Sequence, residues 1–368
     1  MNRYKSDILT FDALHLLEEL IAIPSLSKAE NNTAVAIELF LKERNIETHR
    51  LNNNVWCVNK YFDNTKPTVL LNSHHDTVPP NAKYTNDPYL PKTKEGKIYG
   101  LGSTDAGASL VSLISAFIYF YEAENLKFNI VFAASAEEEI SGKAGVEKLF
   151  ADDVFNAYFL HKDSFAIIGE PTQLNLAIAE KGLLVLDCTV HGFAGHAARD
   201  EGENAVYKAI EIIEWFKNYR FEKISPLLGE VKMTVTSINT ENTSHNIIPA
   251  ICRFVIDIRV TEMYTHKEII EIIAENVCAD IQPRSTRLVS SSINANHKIV
   301  QAGLALGKQI YGSPTLSDAA LIPLPSLKCG PGNTAQSHSA NEFVEISAVE
   351  EGIEFYIKLI SSINNNKG

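Results

Sequence analysis

Histidines and carboxylates stand at the ends of the predicted β-strands of this chain, where side chains from different strands can meet. The first example is LLNSHHDTVPP, in which an aliphatic run, 68–71, ends in two histidines and an aspartate. Three glutamates follow the run NIVFAAS, and one glutamate follows FAIIG. Asp105 stands where an apolar helix begins, and a loop after SLKCGPG leads to His338. The full set is His74, His75, Asp76, Asp105, Glu137, Glu138, Glu139, Glu170 and His338. Because ligands of open α/β sheets bind beyond the carboxyl ends of the strands, we expect several of these side chains to converge.

These residue types suit the binding of a divalent cation when they converge. Carboxylates gathered without a counter-charge repel one another, so a cation is their natural partner. Histidine, aspartate and glutamate without cysteine are donors that Zn²⁺ and Co²⁺ accept. Taken singly, each residue has a plainer explanation: the glutamates at 137–139 could form a solvated turn, and Asp105 could be an N-cap. The set as a whole predicts a metal site with two ions.

The elements that would carry these residues alternate between strand and helix. Strand-like runs are 68–71, 129–134 and 166–168, and an apolar helix, AGASLVSLISAFIYFYEAE, lies between the first two. Such alternation predicts an α/β domain built on a mixed, mostly parallel sheet. We expect this domain to comprise residues 1–179 and 292–368.

The pattern changes between residues 180 and 291. It reads strand LLVLDCTVHG, helix NAVYKAIEIIEWFKNY, strands VKMTVTSIN and AICRFVIDIRV, helix HKEIIEIIAENVC and a short strand TRLVSSS. The order β-α-β-β-α-β is that of a ferredoxin-like α+β module. Residues 180–291 are therefore predicted to form a second domain inserted into the first.

The composition excludes several classes of function. The chain has 368 residues and a net charge of −12, so a nucleic-acid partner is excluded on electrostatic grounds. The N-terminal stretch MNRYKSDILTFDALHLLEEL lacks the uninterrupted apolar core of a signal peptide, and no apolar run is expected to span a bilayer. Five scattered cysteines without a CxxC pair fit reduced thiols. We therefore expect a cytoplasmic protein without a membrane partner.

Taken in order, the motifs of this chain resemble those of the M20 metallopeptidase and deacylase family, and within it the acetylornithine deacetylase-like branch. The matches are HHDTVP for H-x-D-T-V-P, GLGSTD for G-x-G-x-x-D, EEISG for E-E-x-x-G, GEPT, GFAGHAA followed by GENAV, NIIP followed by DIRV, and GPGNTAQSHSANEF for G-P-G…H-x-x-x-E. Each motif alone is weak, but the ordered set runs over nearly the whole chain. The resemblance implies a zinc-exopeptidase-like catalytic domain with an inserted dimerisation or lid domain.

The resemblance also implies a ligand set for the metal site. Two zinc ions per subunit are implied, and Co²⁺ can substitute for them. Asp105 would bridge the two ions. His74 and Glu170 would complete one site, and Glu139 and His338 would complete the other.

Neighbours of the ligands receive supporting roles by the same resemblance. Glu138 would be the general base, and Asp76 would orient the imidazole of His74. His75 would be a spacer, since successive side chains of an extended strand point to opposite sides. Glu137 receives no role.

One stretch departs from the family pattern. The bridging aspartate is usually followed by Met-Lys-Gly, whereas this chain has Ala106, Gly107 and Ala108. The missing lysine removes a positive charge near the site. The family's substrate preference therefore transfers less closely to this chain than its ligand set does.

The reaction that the resemblance implies is hydrolysis of the amide bond of an N-acyl amino acid. Glu138 would take a proton from the attacking water and pass it to the departing amine. His196 is the candidate donor to the oxyanion, and in the family this histidine comes from the partner subunit, so we expect a homodimer. Arg259 is the candidate clamp for the substrate carboxylate, and Asn246 could bind the substrate or the oxyanion. Each of these last three could instead be a structural residue.

The branch suggests a small-molecule substrate of arginine biosynthesis, N-acetyl- or N-succinyl-ornithine or -citrulline. A dipeptidase, a carboxypeptidase and a succinyl-diaminopimelate desuccinylase are alternatives on the same scaffold. A metal-binding protein without catalysis is the alternative that is not an enzyme, although the base and every ligand are present. A nucleotide-binding loop at GLGSTDAG is set aside because the G-x-G-x-x-G spacing and a GK[ST] motif are missing.

Overall fold

The structure is a computed structural model and describes residues 3–199, 201–242 and 244–365. The chain divides into two compact units. The first unit is formed by Met1–Ile178, Ser292–Tyr311 and Ser317–Gly368, and the second by Ala179–Ser291 and Gly312–Leu316.

Helices and strands alternate through the described residues. The α-helices are α1 (Arg3–Ala22), α2 (Asn31–Lys42), α3 (Ala108–Phe120), α4 (Val146–Phe150), α5 (Asp153–Ala157), α6 (Ala205–Asn218), α7 (His266–Asn276), α8 (Lys298–Ala305) and α9 (Ile346–Asn365). The strands are β1 (His49–Leu51), β2 (Asn54–Val58), β3 (Thr68–His74), β4 (Lys92–Lys94), β5 (Lys97–Tyr99), β6 (Asn129–Ser135), β7 (Phe165–Ile168), β8 (Leu176–Glu180), β9 (Gly182–His191), β10 (Lys232–Thr240), β11 (Ile251–Val260), β12 (Asp280–Pro283), β13 (Ser291–Ser292), β14 (Ile310–Ser313), β15 (Ser326–Lys328) and β16 (Phe343–Glu345). Single helical turns are Ser103–Gly107, Glu138–Ile140, Asp318–Ala320 and Thr334–Gln336.

A mixed sheet of nine strands organises the first unit. Its order is β1-β2-β6-β3-β7-β15-β8-β13, and β14 also pairs with β8. The strands β6, β3, β7 and β15 are parallel to their neighbours in this series, whereas β2 pairs with β6 in the antiparallel sense. In the register of β3 and β6, His74 lies opposite Ser135. The two strands therefore end at the same edge, and the predicted α/β class with a mixed sheet is confirmed.

Helix α3 is buried against this sheet. The segment Ser103–Phe120 is long and apolar enough to cross a membrane by length and composition alone, contrary to the expectation from the sequence. However, 83% of this segment is buried inside the protein, as in the core helix of a globular domain. Phe117 of α3 and Tyr356 of α9 belong to the same hydrophobic core, which explains why the segment is apolar nearly all round.

A four-stranded antiparallel sheet organises the second unit. Its order is β10-β11-β9-β12, and α6 and α7 are the helices of the unit. In chain order the elements run strand, helix, strand, strand, helix, strand. The last strand is Asp280–Pro283, so the prediction of a strand at TRLVSSS, 286–292, was wrong. In that stretch only Ser291–Ser292 is extended, and it belongs to the larger sheet.

All five cysteines are unpaired in the structure. Four of them are buried and Cys278 is exposed.

Candidate metal centre

A first group of possible metal ligands lies at the carboxyl ends of β3 and β7. His74 is the last residue of β3, and Glu170 follows β7. The Nε2 atom of His74 lies 3.3 Å from Oδ1 of Asp105 and 3.8 Å from Oε1 of Glu170. One donor atom from each residue lies within 4.8 Å of those of the other two, which is close enough to share one ion.

A second group shares Asp105 with the first. The Nε2 atom of His338 lies 3.0 Å from Oε2 of Glu139 and 3.6 Å from Oδ2 of Asp105. Three donor atoms again lie within 4.8 Å of one another, one each from Asp105, Glu139 and His338. Asp105 therefore turns one carboxylate oxygen towards each group. The structure brings together all five predicted ligands in the arrangement that a bridging aspartate requires.

The charges of both groups favour a bound cation. A hydrogen bond with Glu139 raises the pKa of His338 to about 9. Burial lowers the pKa of His74, but hydrogen bonds with Asp105 and Asp76 outweigh burial and hold this pKa well above its usual value. Such carboxylates attract positive charge, which either a proton on the imidazole or a divalent cation can supply. The donor set of imidazoles and carboxylates fits a divalent metal ion.

Glu138 lies beside the first group without belonging to either group. Its Oε2 atom is 4.0 Å from Nε2 of His74, and its side chain is only 12% exposed. Burial raises the pKa of Glu138 well above its usual value, and the charges of Glu170 and Asp318 raise it further. Glu138 is therefore a carboxylate near the candidate ions that is placed to accept a proton.

The loop after β6 separates three consecutive glutamates. Glu137 and Ser141 both have left-handed backbone angles, with φ of 55° and 47°, and they flank the single turn Glu138–Ile140. The carboxylate of Glu137 accepts a hydrogen bond from the backbone N–H of Ala144 at 3.3 Å. A Cβ atom at Gly142 would come within 1.9 Å of this carboxylate, which explains the glycine of the E-E-x-x-G motif. Glu137 is thus bound within the loop, apart from both groups.

Asp76 supports the site mainly through backbone groups of this loop. Its Oδ1 atom accepts the N–H of Glu138 at 3.0 Å, and its Oδ2 atom accepts the N–H of Glu139 at 3.2 Å. The hydroxyl of Ser27 donates to Oδ2 at 2.6 Å. The carboxylate is 3.5 Å from Nδ1 of His74, but the backbone carbonyl of Asp76 is nearer, at 2.9 Å. Because a carbonyl only accepts, Nδ1 of His74 carries the proton, and Nε2 faces the ligands.

His75 points away from both ligand groups. Its Nδ1 atom lies 2.8 Å from the hydroxyl of Thr33, and its Nε2 atom lies 2.9 Å from the backbone carbonyl of Asn53. Burial lowers the pKa of His75, which favours a neutral ring. His75 therefore has structural partners, in agreement with its expected position as a spacer.

Three buried carboxylates around the site are not among the residues predicted from the sequence. Glu342 accepts hydrogen bonds from backbone N–H groups of the Gly102–Asp105 stretch. Burial raises the pKa of Glu342 to about 7 and that of Asp318 to about 6. Asp318 accepts hydrogen bonds from Asn72 at 2.9 Å and Ser135 at 2.5 Å, at the ends of β3 and β6.

The third of these carboxylates is Glu30. Its Oε1 atom accepts the backbone N–H of Glu137 at 3.0 Å, and its Oε2 atom accepts from the side chain of Asn53. Glu342, the last residue of the H-x-x-x-E motif, carried a signal in the sequence. Glu30 and Asp318 belong to none of the motifs that point to the site.

His196 and Asn246 lie in adjacent loops of the second unit. The backbone N–H of Ala197 donates to the carbonyl of Asn246 at 2.9 Å, and His196 forms a β-bridge with Ile247. Both predicted residues are exposed. Among the described residues, these two side chains form one hydrogen bond, in which Nδ1 of His196 accepts the N–H of Ala198 at 3.1 Å. Within the described part of the chain, Nε2 of this ring has no hydrogen-bond partner and is available to another molecule.

Arg259 lies near the end of β11 in the second unit. Its guanidinium donates to both oxygens of Asp257, at 2.8 and 3.0 Å, so a substrate carboxylate would have to compete with Asp257. Lys232 is the partner of Arg259 in the register of β10 and β11. Burial lowers the pKa of Lys181, and the charges of Lys232 and Arg259 lower it further. Arg259 therefore belongs to a small cluster of cationic side chains in an acidic protein.

Comparison with known proteins agrees with the motifs. Residues 70–362 match the peptidase family M20/M25/M40. The succinyl-diaminopimelate desuccinylase of Rickettsia bellii is 26% identical over 388 aligned residues, which cover 96% of this chain and 97% of that protein. The acetylornithine deacetylase of Proteus mirabilis is 28% identical over 315 aligned residues, which cover 80% of this chain and 79% of that protein.

A solved structure shares the fold. It is that of a dinuclear metal binding peptidase from the M20 family of Bacillus subtilis, with a TM-score of 0.71 and 17% identity. The match covers 97% of this chain and 99% of that one. The family match extends over most of the chain and includes every candidate metal ligand. This chain belongs to peptidase family M20/M25/M40 and is a hydrolase of amide bonds.

Proposed function

We propose that this enzyme removes the acyl group of an N-acyl amino acid, and that the preferred acyl group is succinyl. The observation that carries the proposal is the pair of ligand groups that share Asp105, with Glu138 beside them. Relatives named succinyl-diaminopimelate desuccinylase, which match over nearly the whole chain, support the succinyl group. The cationic cluster of Lys181, Lys232 and Arg259 also favours a substrate with more than one carboxylate.

Removal of an acetyl group from ornithine or citrulline is the second candidate. It is the main expectation from the sequence, and the acetylornithine deacetylase of Proteus mirabilis supports it. Relatives that match over nearly the whole chain are succinyl-diaminopimelate desuccinylases, and they support removal of a succinyl group better. We therefore rank a substrate of arginine biosynthesis behind an N-succinyl amino acid such as N-succinyl-diaminopimelate.

We propose two zinc ions as the cofactor, one in each ligand group, with Co²⁺ as a substitute. His74 and Glu170 would hold one ion, His338 and Glu139 would hold the other, and Asp105 would contact both. Zinc at such a site supplies a Lewis acid and lowers the pKa of a water towards about 7. In chemical type, the ligands match the His and carboxylate sets that zinc accepts.

Side chains of this protein would transfer the proton of the attacking water and stabilise the negative charge of the oxyanion. Glu138 would take the proton from the attacking water and donate it to the departing amine. His196 would donate a hydrogen bond to the oxyanion, which such a donor stabilises in the transition state. Arg259 would bind the substrate carboxylate, and Asn246 would donate from its side-chain amide to the substrate.

We propose that the enzyme acts as a homodimer in the cytoplasm. Strand β10 is at the edge of the four-stranded sheet, and one side of its backbone has no partner strand among the residues that the structure describes. Apolar side chains are exposed on β10 and α6, namely Ile238 at 51%, Tyr207 at 69% and Ile210 at 48%. A second copy of this chain would cover these groups, as the resemblance to the family implies. The unpaired cysteines support a reducing compartment.

Hydrolysis of a substrate panel tests the proposed function. The panel contains N-succinyl-diaminopimelate, N-succinyl-ornithine, N-acetyl-ornithine, N-acetyl-citrulline and several dipeptides, each with and without a chelator. We expect the highest kcat/KM on an N-succinyl amino acid, and we expect the chelator to abolish it. Faster turnover of the N-acetyl substrates would favour the second candidate, and turnover of dipeptides alone would contradict both.

A further inference from the structure

The carboxylate of Glu342 holds the loop that carries Asp105. The side chain of Glu342 is buried, with the residue only 1% exposed. Its Oε1 atom accepts the backbone N–H groups of Thr104 at 2.7 Å and of Asp105 at 2.9 Å. Its Oε2 atom accepts the N–H of Gly102 at 3.0 Å. One side chain therefore fixes the peptide groups on which the position of Asp105 depends.

Backbone contacts of the same segment reinforce this attachment. The N–H of Gly100 donates to the carbonyl of Glu342 at 3.0 Å, and the hydroxyl of Thr104 donates to the carbonyl of Phe343 at 2.6 Å. Gly102 has a left-handed φ of 75°, and a Cβ atom there would come within 2.7 Å of Thr77. The loop is therefore confined on one side by Thr77 and bonded on the other side to the segment of Glu342.

This segment also supplies a metal ligand. His338 precedes Glu342 by four residues, and its Nε2 atom lies 3.6 Å from Oδ2 of Asp105. The backbone N–H of Asp105 is thus bound by Glu342, and the carboxylate of Asp105 lies close to the ring of His338. The spacing between two members of the second ligand group depends on one short stretch of chain.

A carboxylate suits this position better than any neutral side chain. All three groups that meet Glu342 are N–H donors, and both oxygens of its carboxyl group accept from them. The amide of a glutamine would present its NH₂ group to one of these donors. A buried N–H without an acceptor costs free energy, so the loop would shift to find another partner.

We propose that Glu342 is a positioning residue of the metal centre, which sets the geometry of the bridging Asp105 through three backbone N–H groups. Glu342 itself contacts neither substrate nor ion in this account. The inference rests on the proposed function in one respect, namely that Asp105 binds cations. It adds a residue outside the ligand set whose loss would alter cation binding.

Cobalt binding to the whole chain tests this inference. The variant is Glu342→Gln, and the matched control is Glu345→Gln, an exposed glutamate of the same segment. A second control, Phe155→Leu, removes packing among Trp56, Phe150 and Phe159 and reports on a general loss of stability.

Three quantities are compared between the variants. They are the dissociation constants for Co²⁺, the visible absorption spectrum of the bound Co²⁺, and the amide hydrogen exchange of Gly102, Thr104 and Asp105 without metal. For Glu342→Gln we expect cobalt affinity to fall by about 10–100-fold, the spectrum to change and the three amides to exchange faster. For both controls we expect the affinity and the spectrum of the wild-type enzyme.

The outcomes separate this inference from the proposed function. Wild-type cobalt affinity and spectrum in Glu342→Gln would overturn the inference while leaving the proposed function intact. An equal loss of affinity in Phe155→Leu would also overturn it, because the effect would then follow stability. If the wild-type enzyme binds cobalt but cleaves no acylated amino acid, the proposed function fails and the comparison of variants still decides the role of Glu342. A wild-type chain that binds no cobalt would contradict both.

Discussion

Asp76 and Glu138 are joined by a hydrogen bond in which the backbone N–H of Glu138 donates to Oδ1 of Asp76 at 3.0 Å. The other oxygen of Asp76 accepts the N–H of Glu139 at 3.2 Å. Asp76 follows the strand that ends in His74, so its carboxylate links that strand to the loop of the proposed base. The relative positions of His74 and of the two carboxylates in the loop after β6 therefore depend on Asp76.

Replacing Asp76 by asparagine should weaken metal binding. One of the two N–H groups would then face an amide NH₂ instead of an acceptor, and the loop of Glu138 and Glu139 would move. We expect metal affinity to fall by about 10–100-fold, as measured by equilibrium dialysis. Ser27→Ala is the control, because it removes one donor to Asp76 and leaves both N–H bonds in place. Wild-type affinity in Asp76→Asn would contradict this role.

Replacing Glu138 by glutamine should remove the general base and leave the fold and metal content unchanged. We expect kcat to fall by about a hundredfold to ten-thousandfold in a steady-state assay. Glu137→Gln is the matched control, since the carboxylate of Glu137 is bound to the N–H of Ala144 instead of facing the ligands. If Glu137→Gln lost more activity than Glu138→Gln, the assignment of the base would be wrong.

Replacing His196 by alanine should reduce turnover without reducing metal content. Loss of one donor to an oxyanion costs about a hundredfold to a thousandfold in kcat. His196 is exposed, and its side chain makes a single hydrogen bond to the described residues, so the change should leave thermal stability nearly unaltered. Unchanged turnover would remove His196 from the mechanism.

Mixing two inactive variants should show whether His196 acts on the partner subunit. A heterodimer of Glu138→Gln and His196→Ala chains contains one site with both residues intact if His196 acts across the dimer. After subunit exchange at equal concentrations, we expect about a quarter of the wild-type activity to return. Each variant mixed with itself is the control. No recovery, in samples shown by native mass spectrometry to contain heterodimers, would place His196 in the site of its own chain.

The start of α7 should make stability depend on pH. Glu268 accepts hydrogen bonds from the backbone and hydroxyl of Thr265 and lies 3.0 Å from Nζ of Lys223. These contacts, with the backbone hydrogen bond first, lower the pKa of Glu268 from 4.5 to about 2. A carboxylate with a lowered folded-state pKa stabilises the fold above its unfolded value, and this stability is lost as the pH falls towards about 2.

Glu268→Gln should therefore lower the free energy of unfolding at neutral pH, with a difference from wild type that narrows on acidification. Urea unfolding at several pH values measures this difference. Glu271→Gln is the control, because Glu271 makes only an exposed ion pair with Lys267 at 3.7 Å. A difference that stays constant or widens as the pH falls below the usual value for glutamate would refute the account of this helix start.

The ligand set could be predicted from the sequence because each ligand stands within a short motif, and the motifs of three ligands lie at strand ends. His74 ends a buried strand and Glu170 follows another, and the parallel register brings these ends together. Glu342 also stands within a motif, but the motif does not reveal its partners, and Asp318 stands within none of the motifs. Their partners are Asp105 and Asn72, which lie 237 and 246 residues away, and the bonds depend on backbone direction and burial.

The second unit shows a different limit of sequence patterns. TRLVSSS contains β-favouring residues, yet the fourth strand of the small sheet is Asp280–Pro283. Asp280 lies opposite Thr189 of β9, and the side chain of Asp280 bonds to His191 at 2.7 Å. The position of the fourth strand therefore depends on pairing with the edge of β9, and the intrinsic β-preference of the residues does not determine it.

Cation content measured together with hydrolysis tests the central claim of this account most directly. The claim is that the two groups that share Asp105 bind two cations, which the hydrolysis of an acylated amino acid requires. The wild-type enzyme is stripped with a chelator, titrated with Zn²⁺ and assayed on N-succinyl-diaminopimelate and N-acetyl-ornithine at each step. We predict no hydrolysis without metal and full activity at two ions per chain. Hydrolysis that persists in fully metal-free enzyme, or saturation without bound zinc, would contradict the claim.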